Sequence, residues 1–214
     1  MKMTFPGRTL AMTIAAAMLL ALPASGEEKA GHAHAQDERI YKGYFDDDQI
    51  QPRSLGDWAG DWQSVYPLLM NGDLDVVMEH KAETGDQTAE AYRATYEVGY
   101  ETDVERITIE GDTVTFYRGG VPVSGRYADD GFAVLTYKKG NRGVRYIFSK
   151  SEGDDAAPAF IQFSDHRIAP AHADHYHLYW GDDRAALLEE VTNWPTYYPF
   201  DLGPEEIADA MMAH

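Results

Sequence analysis

Apolar residues fall on every second position in the middle of the chain. In RITIEGDTVTFYRG, Ile107 and Ile109 alternate with polar neighbours, the chain turns at Gly111-Asp112, and Val114 and Phe116 resume the alternation. A period of two across a Gly-Asp turn predicts a β-hairpin. GFAVLTYKKGNRGVRYIFSK repeats the pattern with a turn near Gly140-Asn141. PAFIQFSDH and DHYHLYWG form a third pair, joined by a loop over Ile168 to Asp174. Gly60-Asp61-Trp62, running on to Tyr66, suits an opening strand. At least six short strands joined by tight turns predict an antiparallel meander or barrel, mainly β with helices attached.

The helices flank this region. Asp73 to about Ala82 places Leu74, Val77 and Met78 on one face, and Thr88 to Tyr100 carries Tyr92, Tyr96 and Tyr100 four apart. The tyrosine stripe is expected to pack into the core. Asp182 or Asp183 can cap a further helix whose Leu187, Leu188 and Val191 face inward, ending before NWPTYYP. The two prolines there are expected to forbid regular structure. Gly203-Pro204-Glu205-Glu206 predicts a last helix, with Pro at its first position and acids in its first turn. No repeat of solenoid period is present.

Residues 1–26 stand outside this pattern. Lys2 and Arg8 precede the apolar run Leu10 to Leu22, and Pro23-Ala24-Ser25-Gly26 offers a small-residue cleavage site. This is the form of a secretory signal peptide, too short for a stable membrane span. Its style predicts export to a bacterial periplasm as a soluble protein. Glu27 to Asp48 is polar, contains His32 and His34, and is expected to be a flexible arm. Residues 49–214 are expected to be a single domain, with monomer the default state.

Composition narrows the chemistry. The chain has no cysteine, so any metal site must use His, Asp and Glu. Its formal charge is −18, and losing the leader's two bases takes this to −20. Such a surface repels nucleic acid and anionic lipid and attracts cations.

Four of the eight histidines lie between His166 and His177. On a strand, His175 and His177 project from one face, with Tyr176, Leu178 and Trp180 on the other. If the preceding strand runs through His166, that imidazole joins them across the pair. Three convergent imidazoles about 2.0–2.1 Å from one point form three sides of a tetrahedral zinc site. His172, in the loop, competes with His166 for the third position; a strand position favours His166. Asp165 and Asp174 could orient the imidazoles through their other N–H.

SDHRIAPAHADHYHLYWG, NWPTYYPFDLGPEEIADAMMAH, GDWQSVYPLLMNGDLD and KGNRGVRYIFSK together resemble the ZinT (YodA) family of periplasmic zinc-binding proteins, from about Gly43 to His214. The resemblance implies a calycin-like, lipocalin-related β-barrel. It also implies zinc ligation, or cadmium ligation, by His166, His175 and His177, with water, an anion or a carboxylate in fourth place. It implies further a periplasmic protein that captures scarce zinc, buffers it, or passes it to the solute-binding component of a zinc ABC importer. His172, His32 and His34 are then accessory candidates.

Two other functions compete. A zinc hydrolase or hydratase would use the same open three-histidine site, but neither H-E-x-x-H nor G-x-S-x-G occurs. A lipocalin-like binder of small apolar molecules would use the barrel interior, where polar histidines are unfavourable.

Overall fold

A computed structural model describes residues 37–189 and 192–213. The predicted leader, His32, His34 and Val191 lie outside the described residues. Among those described, no helix is long and apolar enough to cross a membrane.

The strands are β1 (Gly60–Ser64), β2 (Arg106–Glu110), β3 (Thr113–Arg118), β4 (Val121–Thr136), β5 (Arg142–Gly153), β6 (Phe160–Ser164), β7 (Tyr176–Gly181) and β8 (Thr196–Pro199). They close in sequence order into an antiparallel barrel. Between β1 and β2 run three helices, α1 (Tyr66–Asn71), α2 (Asp75–Thr84) and α3 (Ala89–Tyr100), and α4 (Pro204–Met212) follows β8. The closed antiparallel barrel is one of the two forms that the period-two pattern predicts, and it agrees with the lipocalin-like barrel that the family resemblance implies. The hairpin register is as the sequence reads: Ile107 opposes Phe116 and Ile109 opposes Val114.

Alternation divides the barrel wall into two faces. Inward residues build one core that includes Trp58, Trp62, Tyr146, Phe148, Phe163 and Tyr176. Each is essentially removed from water, and burial of an aromatic or large aliphatic side chain contributes about 1.5–3 kcal/mol. The barrel interior is thus packed with rings. On the outer face, Tyr198 of β8 joins Val77 and Met78 of α2, Tyr100 of α3 and Ile207 and Met211 of α4 in a second apolar layer. The tyrosine stripe of α3 packs here, as expected of it.

Three sequence expectations change. NWPTYYP contains a strand, because its prolines are spent where no N–H is needed. Pro195 lends its carbonyl to Leu178 N–H at 3.0 Å, and Pro199 ends β8, which pairs Trp62 with Pro199 and Tyr176 with Tyr197 to close the barrel. Asn193 Nδ2 donates to Val98 O and Glu101 O at the end of α3, while Trp194 N–H donates to Gly99 O. Gly99 must be glycine, since a Cβ there would meet the Trp194 ring at 2.4 Å.

The helix expected after Asp183 is only a short 3-10 turn, Ala186–Leu188. The Asp183 carboxylate does cap it, accepting from Ala185 and Ala186 N–H. The stretch 27–48, expected to be a flexible arm, is part of the domain from residue 37 onward. Residues 37–41 are helical, Phe45 is in the barrel core, and Arg142 N–H donates to Gly43 O at 2.9 Å.

Candidate metal centre

The β6–β7 loop, residues 165–175, is fastened before any histidine is considered. Arg53 ties it to the segment before β1: Nη1 donates to Asp165 Oδ1 at 2.6 Å and Nη2 to Ala171 O at 2.8 Å, while Nε donates to Asp57 Oδ2 at 2.8 Å. The Arg53 and Asp165 side chains are 0% and 1% exposed, and Arg53 lies over the Trp58 ring at 4.1 Å. Gln51 N–H to Ile168 O and Ala173 N–H to Asp57 O, both 2.8 Å, pin the loop further.

On this frame His166, His175 and His177 meet. One nitrogen from each lies within 4.8 Å of the others, the one group of three or more His, Cys, Asp or Glu so arranged among the described residues. Their ring centroids are 5.5–5.9 Å apart, a nearly equilateral triangle. Nitrogens about 2.0–2.1 Å from one tetrahedral ion would be about 3.3–3.4 Å apart, so small ring rotations would bring them onto an ion. The donor set, three imidazoles and no thiolate, suits zinc and neighbouring divalent metals.

Two expectations about these residues are corrected. His166 is not on a strand: β6 stops at Ser164, and His166 takes φ +63°. That left-handed conformation, which His tolerates better than most side chains, turns the imidazole toward β7. The histidines also do not face the barrel interior. Tyr176 and Leu178 fill the inward positions of β7, so His175 and His177 lie on the outer face.

Neighbours orient each ring. Tyr41 stacks on His166 at 4.6 Å, and Tyr198 on His175 at 5.1 Å with ring planes 11° apart. Thr196, opposite His177 in the β7–β8 register, places Oγ1 2.8 Å from Nδ1. That hydroxyl already donates to Trp194 O at 2.9 Å, so Nδ1–H is the donor to it, and Nε2 keeps its lone pair. Sequence reasoning missed Thr196 and looked instead to Asp165 and Asp174. Asp165 serves Arg53 and the Arg167 N–H, and Asp174 pairs with the Arg167 side chain.

Burial holds the His177 pKa well below the usual imidazole value, helped by the charges of His166, His175 and Arg145. His177 is therefore a neutral donor at neutral pH. His172 lies apart from the cluster, its ring 6.2 Å from that of Trp62.

A family model described as "ZinT (YodA) periplasmic lipocalin-like zinc-recruitment" matches residues 36–214. The "Probable metal-binding protein YrpE" of Bacillus subtilis is 57% identical over 178 residues, covering 83% of this chain and 71% of YrpE. The "Zinc-binding lipoprotein AdcA" of Streptococcus pneumoniae is 45% identical over 194 residues, 90% of this chain. The chain spans only 38% of AdcA. Among solved structures, the Zn(II)-bound ZinT-like domain of Streptococcus pneumoniae AdcA superposes with a TM-score of 0.78 at 46% identity, covering 81% of this chain and 97% of that domain.

Proposed function

We propose that this chain, which belongs to the ZinT (YodA) family of periplasmic lipocalin-like zinc-recruitment proteins, binds one Zn2+ as cargo through His166, His175 and His177. The observation that carries this is the triangle of imidazole nitrogens within 4.8 Å, on a loop anchored by the Arg53–Asp165 pair. The Zn(II)-bound state of the homologous AdcA domain supports the choice of metal. Cadmium fits the same donors.

Three neutral imidazoles hold the ion and leave one position open, so zinc can leave by exchange at that position; a site closed by four protein ligands would serve structure. Only deprotonated imidazole binds, and the buried His177 is deprotonated in advance. The protein acts as a carrier or buffer rather than an enzyme, a reading supported by the family's description as zinc-recruitment. The ring-filled barrel interior takes away the cavity that a lipocalin-like binder would use.

The signal-peptide form of residues 1–26 supports action outside the cytoplasm, and the family's description as periplasmic supports that compartment. There a monomer would pass zinc to the solute-binding component of a zinc ABC importer. The test is to mix the zinc-loaded chain with that apo component and follow zinc by size-resolved metal analysis. Transfer faster than the chain's release to a chelator supports hand-over. Release at the same rate to both would reduce the proposal to buffering.

A further inference from the structure

The three histidines also line a cavity of about 260 Å3. A water molecule has a share of about 30 Å3, so the open coordination position looks into space for something larger. Tyr96, Tyr100, Trp194, Tyr198 and Met211 form apolar walls, and Lys81 supplies the one lysine or arginine of the lining. Among the described residues no carboxylate lines it, in a chain with 36 Asp and Glu against 18 Lys and Arg. Lys81 Nζ lies over the Tyr96 ring at 5.4 Å and forms no ion pair among the described residues.

A loaded site would gather positive charge at this cavity. Zn2+ on three neutral imidazoles keeps both its charges, and Lys81 adds a third at the same aromatic-walled cavity. Clustered like charges favour a counter-ion, and the carboxylates Asp37, Asp165 and Asp174 line an adjoining cavity that shares His166 and His175 rather than this one.

We propose that the cavity takes a small monocarboxylate with an apolar, preferably aromatic, body as the exogenous fourth ligand. Its carboxylate lies between the metal and Lys81, and its body rests against Tyr96, Trp194 and Tyr198. This rests on the three-histidine metal reading. Metal and carboxylate then tighten each other's binding, because coupling between two sites is reciprocal. Loss of the carboxylate would loosen the zinc and aid its release to a partner.

The experiment measures Co2+ and Zn2+ affinity of the full chain by chelator competition, in carboxylate-free buffer and then with benzoate or acetate, with Co2+ absorption reporting coordination. Benzoate is expected to tighten the metal at least about fivefold, the lower end of usual coupling, to exceed acetate, and to shift the Co2+ bands. In Lys81→Gln the benzoate gain is expected to fall below about twofold. Metal binding that benzoate leaves unchanged would overturn the proposal. So would equal gains from acetate and benzoate that survive Lys81→Gln, since the open position would then accept any anion without a built pocket. Absence of metal binding under every condition would instead overturn the three-histidine reading itself.

Discussion

His177 and Thr196 face each other across the β7–β8 register, with imidazole Nδ1 2.8 Å from the threonine hydroxyl oxygen. Because that hydroxyl donates to Trp194 O, it can only accept from the ring, and the ring must direct Nε2 at the metal. Partners of this kind are worth about 10–100-fold in metal affinity. Thr196→Val, nearly the same shape, is expected to weaken zinc by about that factor, while Thr196→Ser restores most of it. A chelator-competition titration of the three proteins distinguishes this from a packing role, in which Ser would be as damaging as Val.

The Arg53–Asp165 pair should dominate the stability of the loop. Both side chains are out of water, and removing one partner of such a pair costs about 3–5 kcal/mol. Asp165→Leu is expected at the lower end, because Asp57 still engages Arg53. The urea midpoint measures it, and zinc affinity should fall with it, since His166 is the next residue. An unchanged midpoint would show that the pair does not fasten the loop.

Stability should depend on pH through His177. Its folded pKa lies well below the usual value, foremost because of burial, whereas in the unfolded chain it titrates near 6.5. Between those two values the unfolded chain binds a proton that the folded one does not, so stability falls as pH drops through about 6.5 toward the folded pKa. The metal-free chain is expected to have a lower urea midpoint at pH 5.5 than at pH 7.5, with the loss reduced in His177→Gln. Equal loss in both proteins would assign the effect to other groups.

Truncation separates the arm from the site. Tyr41 stacks on His166, and such ring contacts are worth about 0.5–1.5 kcal/mol, or about 2- to 12-fold in affinity. Removing residues up to 36 is expected to leave tight zinc binding intact. Tyr41→Ala is expected to weaken it within that range by the same titration. Loss of the tight site on this truncation would mean that His32 or His34 is a principal ligand.

The sequence made some of this legible and hid the rest for identifiable reasons. H-x-H was readable because extended chain running into β7 places alternate side chains on one face, although His175 itself precedes the strand, and that depends on neighbours in the chain. His166 was found, but through a strand that stops two residues earlier; its φ of +63° leaves no mark in a pattern of apolar and polar positions. Thr196 was hidden because its short strand forms only by pairing with β1 and β7, and Trp62 opposes Pro199 from the far end of the domain. Arg53 meets Asp165 across 112 residues, a separation over which no local pattern operates. The side of the wall on which the histidines lie depended on which face the helices cover. Alternation reports two faces and does not say which is inward.

The most direct measurement is a zinc titration of the wild-type chain against a competing chelator, beside His175→Ala/His177→Ala and His172→Ala. One tight zinc per chain is expected in the wild type. The double variant should lose well over tenfold in affinity, because one imidazole cannot hold a tetrahedral ion, and His172→Ala should change little. Equal affinity in the wild type and the double variant would contradict the account, leaving the three histidines as a polar turn beside a barrel.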